Sequence, residues 1–239
     1  SDGSLRPLRC ASPRVGSNHE SRSSVLQPSA CCSWCTASSL ALDAMWQLDA
    51  NGWLVPTPGI TLKPSPNCDA RPTNTAIELL VLHNISLPPG QFHTPYVADL
   101  FLNQLDTTAD PWFVNVVGLR VSAHFFIERD GSTTQFVSCD QRAWHAGVSS
   151  HNGRERCNDF SIGIEIEGSD DTDFCDAQYA SLARLTCALM SRHPISAVCG
   201  HEHVAPGRKT DPGPHFDWVR FHHDFQGLFS RAREVTFQS

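Results

Sequence analysis

Residues 77–85 read IELLVLHNI. Apolar side chains fill most positions from Leu79 to Leu82 and beyond, not every second one, which is the composition of a strand covered on both faces. Such a strand belongs in the middle of a sheet. His83 lies near the end of the run, where the backbone is rigid and an imidazole can emerge into a cleft.

Downstream, Pro88-Pro89-Gly90 opens a loop, and Val97, Leu100, Phe101 and Leu105 recur at helical spacing. Residues 120–127 and 133–137 flank Arg129-Asp130-Gly131, whose Asp-Gly pair predicts a hairpin. Residues 161–167, SIGIEIE, alternate strictly. Ile162, Ile164 and Ile166 fall on one face and Gly163, Glu165 and Glu167 on the other, predicting a strand with one dry side. Asp176 can cap a helix that carries Tyr179, Leu182, Leu185 and Leu189 along one stripe and closes at Pro194. Residues 195–199 make a short strand ending at Gly200-His201, and Asp217 opens a final helix presenting Trp218, Phe221 and Phe225. This order of elements, with at least one hairpin, predicts an α/β fold with a mixed central β-sheet flanked by helices.

Upstream, residues 1–44 hold 11 serines and four of the ten cysteines, with no sustained period of 2 or 3.6. They offer little surface to bury and are expected to be a disordered extension, with one domain over 45–239. The text changes at Met45, and translation is expected to begin naturally there, the preceding residues being upstream or non-native sequence. The cysteines lack regular spacing and read as free thiols. Cys31, Cys32 and Cys35 include a C-x-x-C spacing, but no second pair follows at zinc-ribbon distance.

The 239 residues are 40% hydrophobic, enough for one sizeable core. A net charge of −7 advertises no basic surface, so a sequence-independent grip on nucleic acid is not expected. No stretch reaches the ~20 apolar residues of a membrane span, and residues 1–30 lack the layout of a secretory signal. The expectation is a cytoplasmic monomer without nucleic-acid or membrane partners, and a neutral or cationic small substrate remains open.

With twelve histidines in the chain, only context can single one out. His201 follows a strand and a glycine, as His83 ends a strand, and Asp211 lies ten residues on in GHEHVAPGRKTDPGP. Two imidazoles and a carboxylate on braced backbone make a three-ligand set with an open fourth position, the pattern of catalytic zinc. The alternative is two histidines bonded to backbone and Asp211 as a turn residue before Pro212. Glu165, beside Gly163 where a missing side chain leaves room for a ligand, is a candidate general base, with Glu167 its competitor on the same face.

VLHNISLPPGQF, RVSAHFFIERDG, RAWHAGVSSHNGRERCNDFSIGIEIEG and GHEHVAPGRKTDPGPHFDW together resemble the cytosolic 1,6-anhydro-N-acetylmuramoyl-L-alanine amidases of bacterial peptidoglycan recycling. The resemblance runs from about Trp53 to the final helix. The wider group, the type 2 amidases, shares a fold with peptidoglycan recognition proteins. The resemblance implies zinc held by His83, His201 and Asp211, with Glu165 as the base, Lys209 as a cationic partner, and Asn84, Arg120, Trp144, Arg156 and Ala205 as contacts to a muropeptide substrate. One departure is His203, where relatives usually carry aspartate or asparagine. On a strand-like backbone it would share a side with His201, but the register to Lys209 and Asp211 favours His201 as the ligand. Two rival functions are an amidase acting on intact cell wall, of autolysin or endolysin type, and a muropeptide-binding module without catalysis. The filled ligand positions favour an enzyme.

Overall fold

The computed structural model describes residues 46–228 and 236–237. The extension expected over 1–44 and its Cys31, Cys32 and Cys35 spacing lie outside the described residues. In chain order the elements are β1 (Ile60–Leu62), β2 (Cys68–Ala70), β3 (Leu79–Ile85), α1 (Tyr96–Phe101), β4 (Phe125–Ile127), β5 (Thr133–Gln135), β6 (Gln141–Ala143), β7 (Ser150–His151) and β8 (Arg154–Glu155). There follow β9 (Ser161–Glu167), α2 (Asp176–Arg192), β10 (Ala197–Gly200), α3 (His201–Val204), α4 (Trp218–Leu228) and β11 (Thr236–Phe237).

Seven strands form one mixed sheet in the order β1-β5-β4-β9-β3-β10-β11. Only the β4–β5 hairpin is antiparallel; β3 runs parallel to both β9 and β10. This is the expected α/β architecture. Leu80, Leu82, Ile162, Ile164, Ile166 and Val198 face one way into a core with Leu182, Leu185 and Leu189 of α2 and Phe221 and Phe225 of α4. Leu79, Val81 and Cys199 face the other way, against Ala146, Cys157, Phe160 and Val204. Trp46 and Leu48 pack against the first of these cores. Among the described residues no helix is long and apolar enough to cross a membrane, and the six described cysteines are free thiols.

Several sequence expectations need correction. β9 has the predicted bounds, but it is covered on both faces, because the glutamate side of the strand packs against loops instead of meeting water. The cap of α2 is Cys175, not Asp176; the Gln178 side chain accepts a hydrogen bond from the Cys175 N–H at 2.9 Å. Helix α1 ends at Phe101 and leaves Leu105 outside. The first hairpin strand is shorter than expected: β4 is Phe125–Ile127, and of residues 120–124 it is His124 whose backbone bonds to Gly163 of β9 and to Phe136. β1 and β2, within a proline-rich stretch, had no periodic signal: each is only 3 residues long and neither is fully buried.

Below the sheet's site-bearing side, Arg71 joins segments distant in sequence. Its guanidinium donates to the carbonyl oxygens of Cys139 at 3.1 Å, Asn158 at 3.1 Å, Asp159 at 3.0 Å and Ser161 at 2.8 Å. Burial lowers its pKa to about 10, which still leaves it charged at neutral pH. One fixed fork thereby anchors the start of β9 to the end of β2. Replacing Arg71 by Met strips these carbonyls of their donor and should reduce unfolding free energy by about 3 kcal/mol; a urea titration showing an unchanged midpoint and slope would contradict this role.

Candidate active site

The parallel register sets the site. His83 pairs with Glu165 across β3 and β9, and Gly200 pairs with Leu82 across β10 and β3. His201, next in chain after Gly200, therefore emerges at the level of His83. Asp211 is returned to this level by the loop that follows α3, where its carbonyl accepts from the Glu202 N–H at 2.9 Å. Gly200 makes the return possible: a Cβ there would stand 2.6 Å from Cδ of Pro212. Active groups at the carboxyl ends of parallel strands follow the general rule for open α/β sheets.

Three donor atoms converge. His83 Nδ1 lies 2.9 Å from His201 Nδ1, and each is 3.0 Å from Asp211 Oδ2. No other protein atom is needed to complete this triangle, and it is the metal-ligand constellation found among the described residues. His201 Nε2 is 3.1 Å from the Ala146 carbonyl, which can only accept, so its proton is on Nε2 and the Nδ1 lone pair faces the triangle. A single proton bridges two atoms but not three, whereas a small divalent ion with ligands at about 2.0–2.2 Å suits donors about 3 Å apart. Two imidazoles and a carboxylate are zinc ligands by chemistry, and the residues fit that ion.

Glu165 stands beside the triangle, its Oε1 3.9 Å from His83 Nδ1. Its Oε2 is buried without a hydrogen-bond partner. Glu167, the competitor, is committed elsewhere: its carboxylate accepts from the backbone N–H groups of His93 and Arg129, pinning two loops. The space beside Gly163 is not for a ligand, contrary to expectation. The ring of His145 occupies it, and a Cβ on Gly163 would lie 2.3 Å from that ring. His203 is also placed differently from the sequence reading. Because residues 201–204 are helical, its side chain turns away from that of His201, and its Nδ1 accepts from the Gly200 N–H at 2.9 Å.

The triangle opens into a groove of about 530 Å³ lined by Asn84, Trp112, Trp144, Asp170 and Lys209 among others. Asn84 spends its amide on Asp170 Oδ1 at 2.8 Å and the Pro212 carbonyl at 3.1 Å. Arg156 and Ala205 line a second cavity, also about 530 Å³. Arg208 borders both cavities and donates to the Ala146 and Val148 carbonyls, each at 2.7 Å. Arg120 is exposed and in the lining of neither. Sequence reasoning missed His145 and Arg208; the only signal for either was its place in the RAWHAG and APGRK segments.

Residues 73–214 match the sequence profile of a family described as N-acetylmuramoyl-L-alanine amidase. The chain is 55% identical over 172 residues to the 1,6-anhydro-N-acetylmuramyl-L-alanine amidase AmpD of Citrobacter freundii, spanning 71% of this chain and 90% of that protein. The Escherichia coli K12 protein of the same name is likewise 55% identical over 172 residues, spanning 71% and 92%. A crystal structure of a selenomethionine AmpD derivative aligns with a TM-score of 0.69 at 52% identity, over 74% of this chain and 98% of that one. The solution structure of Citrobacter freundii AmpD aligns with a TM-score of 0.55 at 51% identity, over 80% and 100%.

The site is electrostatically tense. Burial, then the proximity of His201, lowers the pKa of His83 to about 4 against the pull of Asp211. Burial would raise Asp211, yet the adjoining side chains of His201 and His83 hold it well below the usual carboxylate range. Burial and the nearby Asp211 push Glu165 well up, opposed by Lys209. Burial also lowers His124, His145 and His193, the last to about 4. For these four histidines the folded values lie below the ordinary 6.5, so the unfolded chain binds more protons below that pH. The stability gained by keeping the rings neutral is present above 6.5 and is lost on acidification toward 4. Glu165 and Glu202, both raised, act in the opposite sense but are fewer. The metal-free protein should therefore have a lower urea midpoint at pH 5 than at pH 7; an equal or higher midpoint at pH 5 would refute the assignment.

Proposed function

The chain belongs to the N-acetylmuramoyl-L-alanine amidase family, and from that premise we propose that it is a zinc-dependent enzyme that cleaves the amide between anhydro-N-acetylmuramic acid and L-alanine in muropeptides released for recycling. The observation that carries the reading is the triangle of His83 Nδ1, His201 Nδ1 and Asp211 Oδ2, closed to about 3 Å and open toward the groove. The anhydro sugar as substrate is supported by the names of the relatives, which the chain matches over most of their length. A released fragment also suits a groove of about 530 Å³. The proposed amidase domain starts near residue 45, a reading supported by the packing of Trp46 and Leu48 against the core. A cytoplasmic setting and a monomeric state are part of the same proposal.

Zinc held by His83, His201 and Asp211 would supply Lewis acidity toward the lactyl carbonyl and acidify the attacking water. Glu165 takes the proton from that water. Its buried, otherwise unpartnered Oε2 is the oxygen free to do so. Water oxygen adds to the carbonyl carbon, and the ammonium of Lys209 at the groove wall offsets the negative charge that develops on the carbonyl oxygen. As the carbon–nitrogen bond breaks, Glu165 returns its proton to the alanine nitrogen, leaving a lactyl carboxylic acid on the sugar and a free amine on the peptide. Trp144 and Asn84 flank the bound fragment. Arg156 and Ala205, in the adjoining cavity, are assigned to the peptide, where a guanidinium can grip a carboxylate with two parallel hydrogen bonds. Arg120, which lines neither cavity, is assigned to a stem-peptide carboxylate by its guanidinium alone.

Two measurements test this reading. Zinc-loaded protein should release peptide from anhydro-muropeptides far faster than from whole sacculi, lose the activity on chelation and regain it with zinc; full activity after chelation, or a preference for sacculi, would sink the proposal. Glu165→Gln should keep its zinc while turnover drops by roughly two orders of magnitude or more, and unchanged turnover would remove Glu165 from the mechanism.

A further inference from the structure

One loop beside the triangle orients both imidazoles. Trp144, His145, Ala146 and Gly147 follow β6, and the Asn158 Oδ1 accepts from the N–H groups of His145 at 3.3 Å and Ala146 at 2.8 Å. The Ala146 carbonyl takes the Nε2 proton of His201. The next ring in the same loop meets the other ligand: His145 Nδ1 is 3.0 Å from His83 Nε2, with the two rings edge to face at 87° and centroids 5.1 Å apart. His145 Nε2 is in turn 3.2 Å from Ser161 Oγ.

The proton positions follow from these distances. For His83 to present a lone pair at Nδ1, its proton must sit on Nε2. That proton needs an acceptor, and the atom in reach is His145 Nδ1. Neutral His145 then carries its own proton on Nε2, aimed at Ser161 Oγ, which can accept. The result is a directed chain, His83 to His145 to Ser161, in which each ring has one donor and one acceptor satisfied. A ring that only filled the space beside β9 would need neither nitrogen placed in this way. The seat is also built for it, since Gly163 leaves room that any side chain would take away.

We infer that His145 is a positioning residue for metal binding: it fixes the tautomer and ring orientation of His83 through a hydrogen-bond chain ending at Ser161. The inference rests on the zinc reading above and deepens it. Partners that orient a ligating histidine from behind typically change metal affinity by roughly 10- to 100-fold when removed.

The test compares variants by zinc affinity, measured by competition with a chromophoric chelator, and by the visible spectrum of the cobalt(II)-loaded protein. His145→Phe keeps a ring in the seat but deletes the acceptor; it should bind zinc roughly 10- to 100-fold more weakly and shift the cobalt bands. His145→Asn returns an acceptor oxygen near the Nδ1 position and should recover most of the lost affinity. Should His145→Phe fail to fold by urea titration, Ser161→Ala, which removes only the far acceptor, should still weaken zinc binding without altering the unfolding midpoint. Wild-type zinc affinity in both His145→Phe and Ser161→Ala, or a His145→Asn protein as weak as His145→Phe, overturns the inference. No zinc uptake by the unaltered chain would overturn the zinc reading itself, a result distinguishable from the first because it needs no variant.

Discussion

The parallel register of β9, β3 and β10 is the constraint on which the site depends. Hydrogen bonding between these strands puts Glu165 opposite His83 and Gly200 opposite Leu82, so groups far apart in sequence reach one level of the sheet without any loop having to place them. A slip of one residue would send His83 or Glu165 to the opposite face, into the apolar layer formed by Leu80, Leu82 and the isoleucines of β9. The large core between sheet and helices thus holds the register, and the register holds the chemistry. Only Asp211 arrives by loop, and it arrives over a glycine whose bare Cα lets Pro212 come close.

Within that frame two carboxyl groups a short distance apart are driven in opposite directions. Asp211 Oδ2 lies 3.0 Å from both imidazoles, and the carboxyl is held well below the usual carboxylate range and stays ionised. Glu165 has burial and the Asp211 charge against ionisation, with Lys209 alone favouring it. Separation of this kind divides labour between a carboxylate that stays charged and a group able to gain and lose a proton. It also explains why the two glutamates of β9 are not equivalent: backbone N–H donors neutralise the demand of Glu167 for partners, while Glu165 has none at Oε2.

Much of this was legible in the sequence because strong periodicity and burial agree. The alternation of SIGIEIE gave β9 its bounds, and the stripe through Tyr179, Leu182, Leu185 and Leu189 located α2. His83, His201 and Asp211 could be picked out as candidate ligands, and the structure brings the three together, while only a resemblance to a known family separated Glu165 from Glu167. What stayed hidden depends on tertiary placement. β1 and β2 are short and held by their partners β5 and β6, not by their own pattern. On an extended backbone His203 would compete with His201, but the four residues from His201 to Val204 are helical. His145 carries no local mark of its task, which exists only through His83 and Ser161 on neighbouring strands.

Gly163 and His145 are 18 positions apart, yet the packing of one against the other makes them a single hereditary unit. Drift at the glycine toward even alanine evicts the imidazole, and loss of the imidazole opens a void that relaxes the demand for glycine. Descent with modification should therefore keep or abandon the two together, so that a relative with a bulkier residue opposite Val81 has found some other way to brace its first histidine.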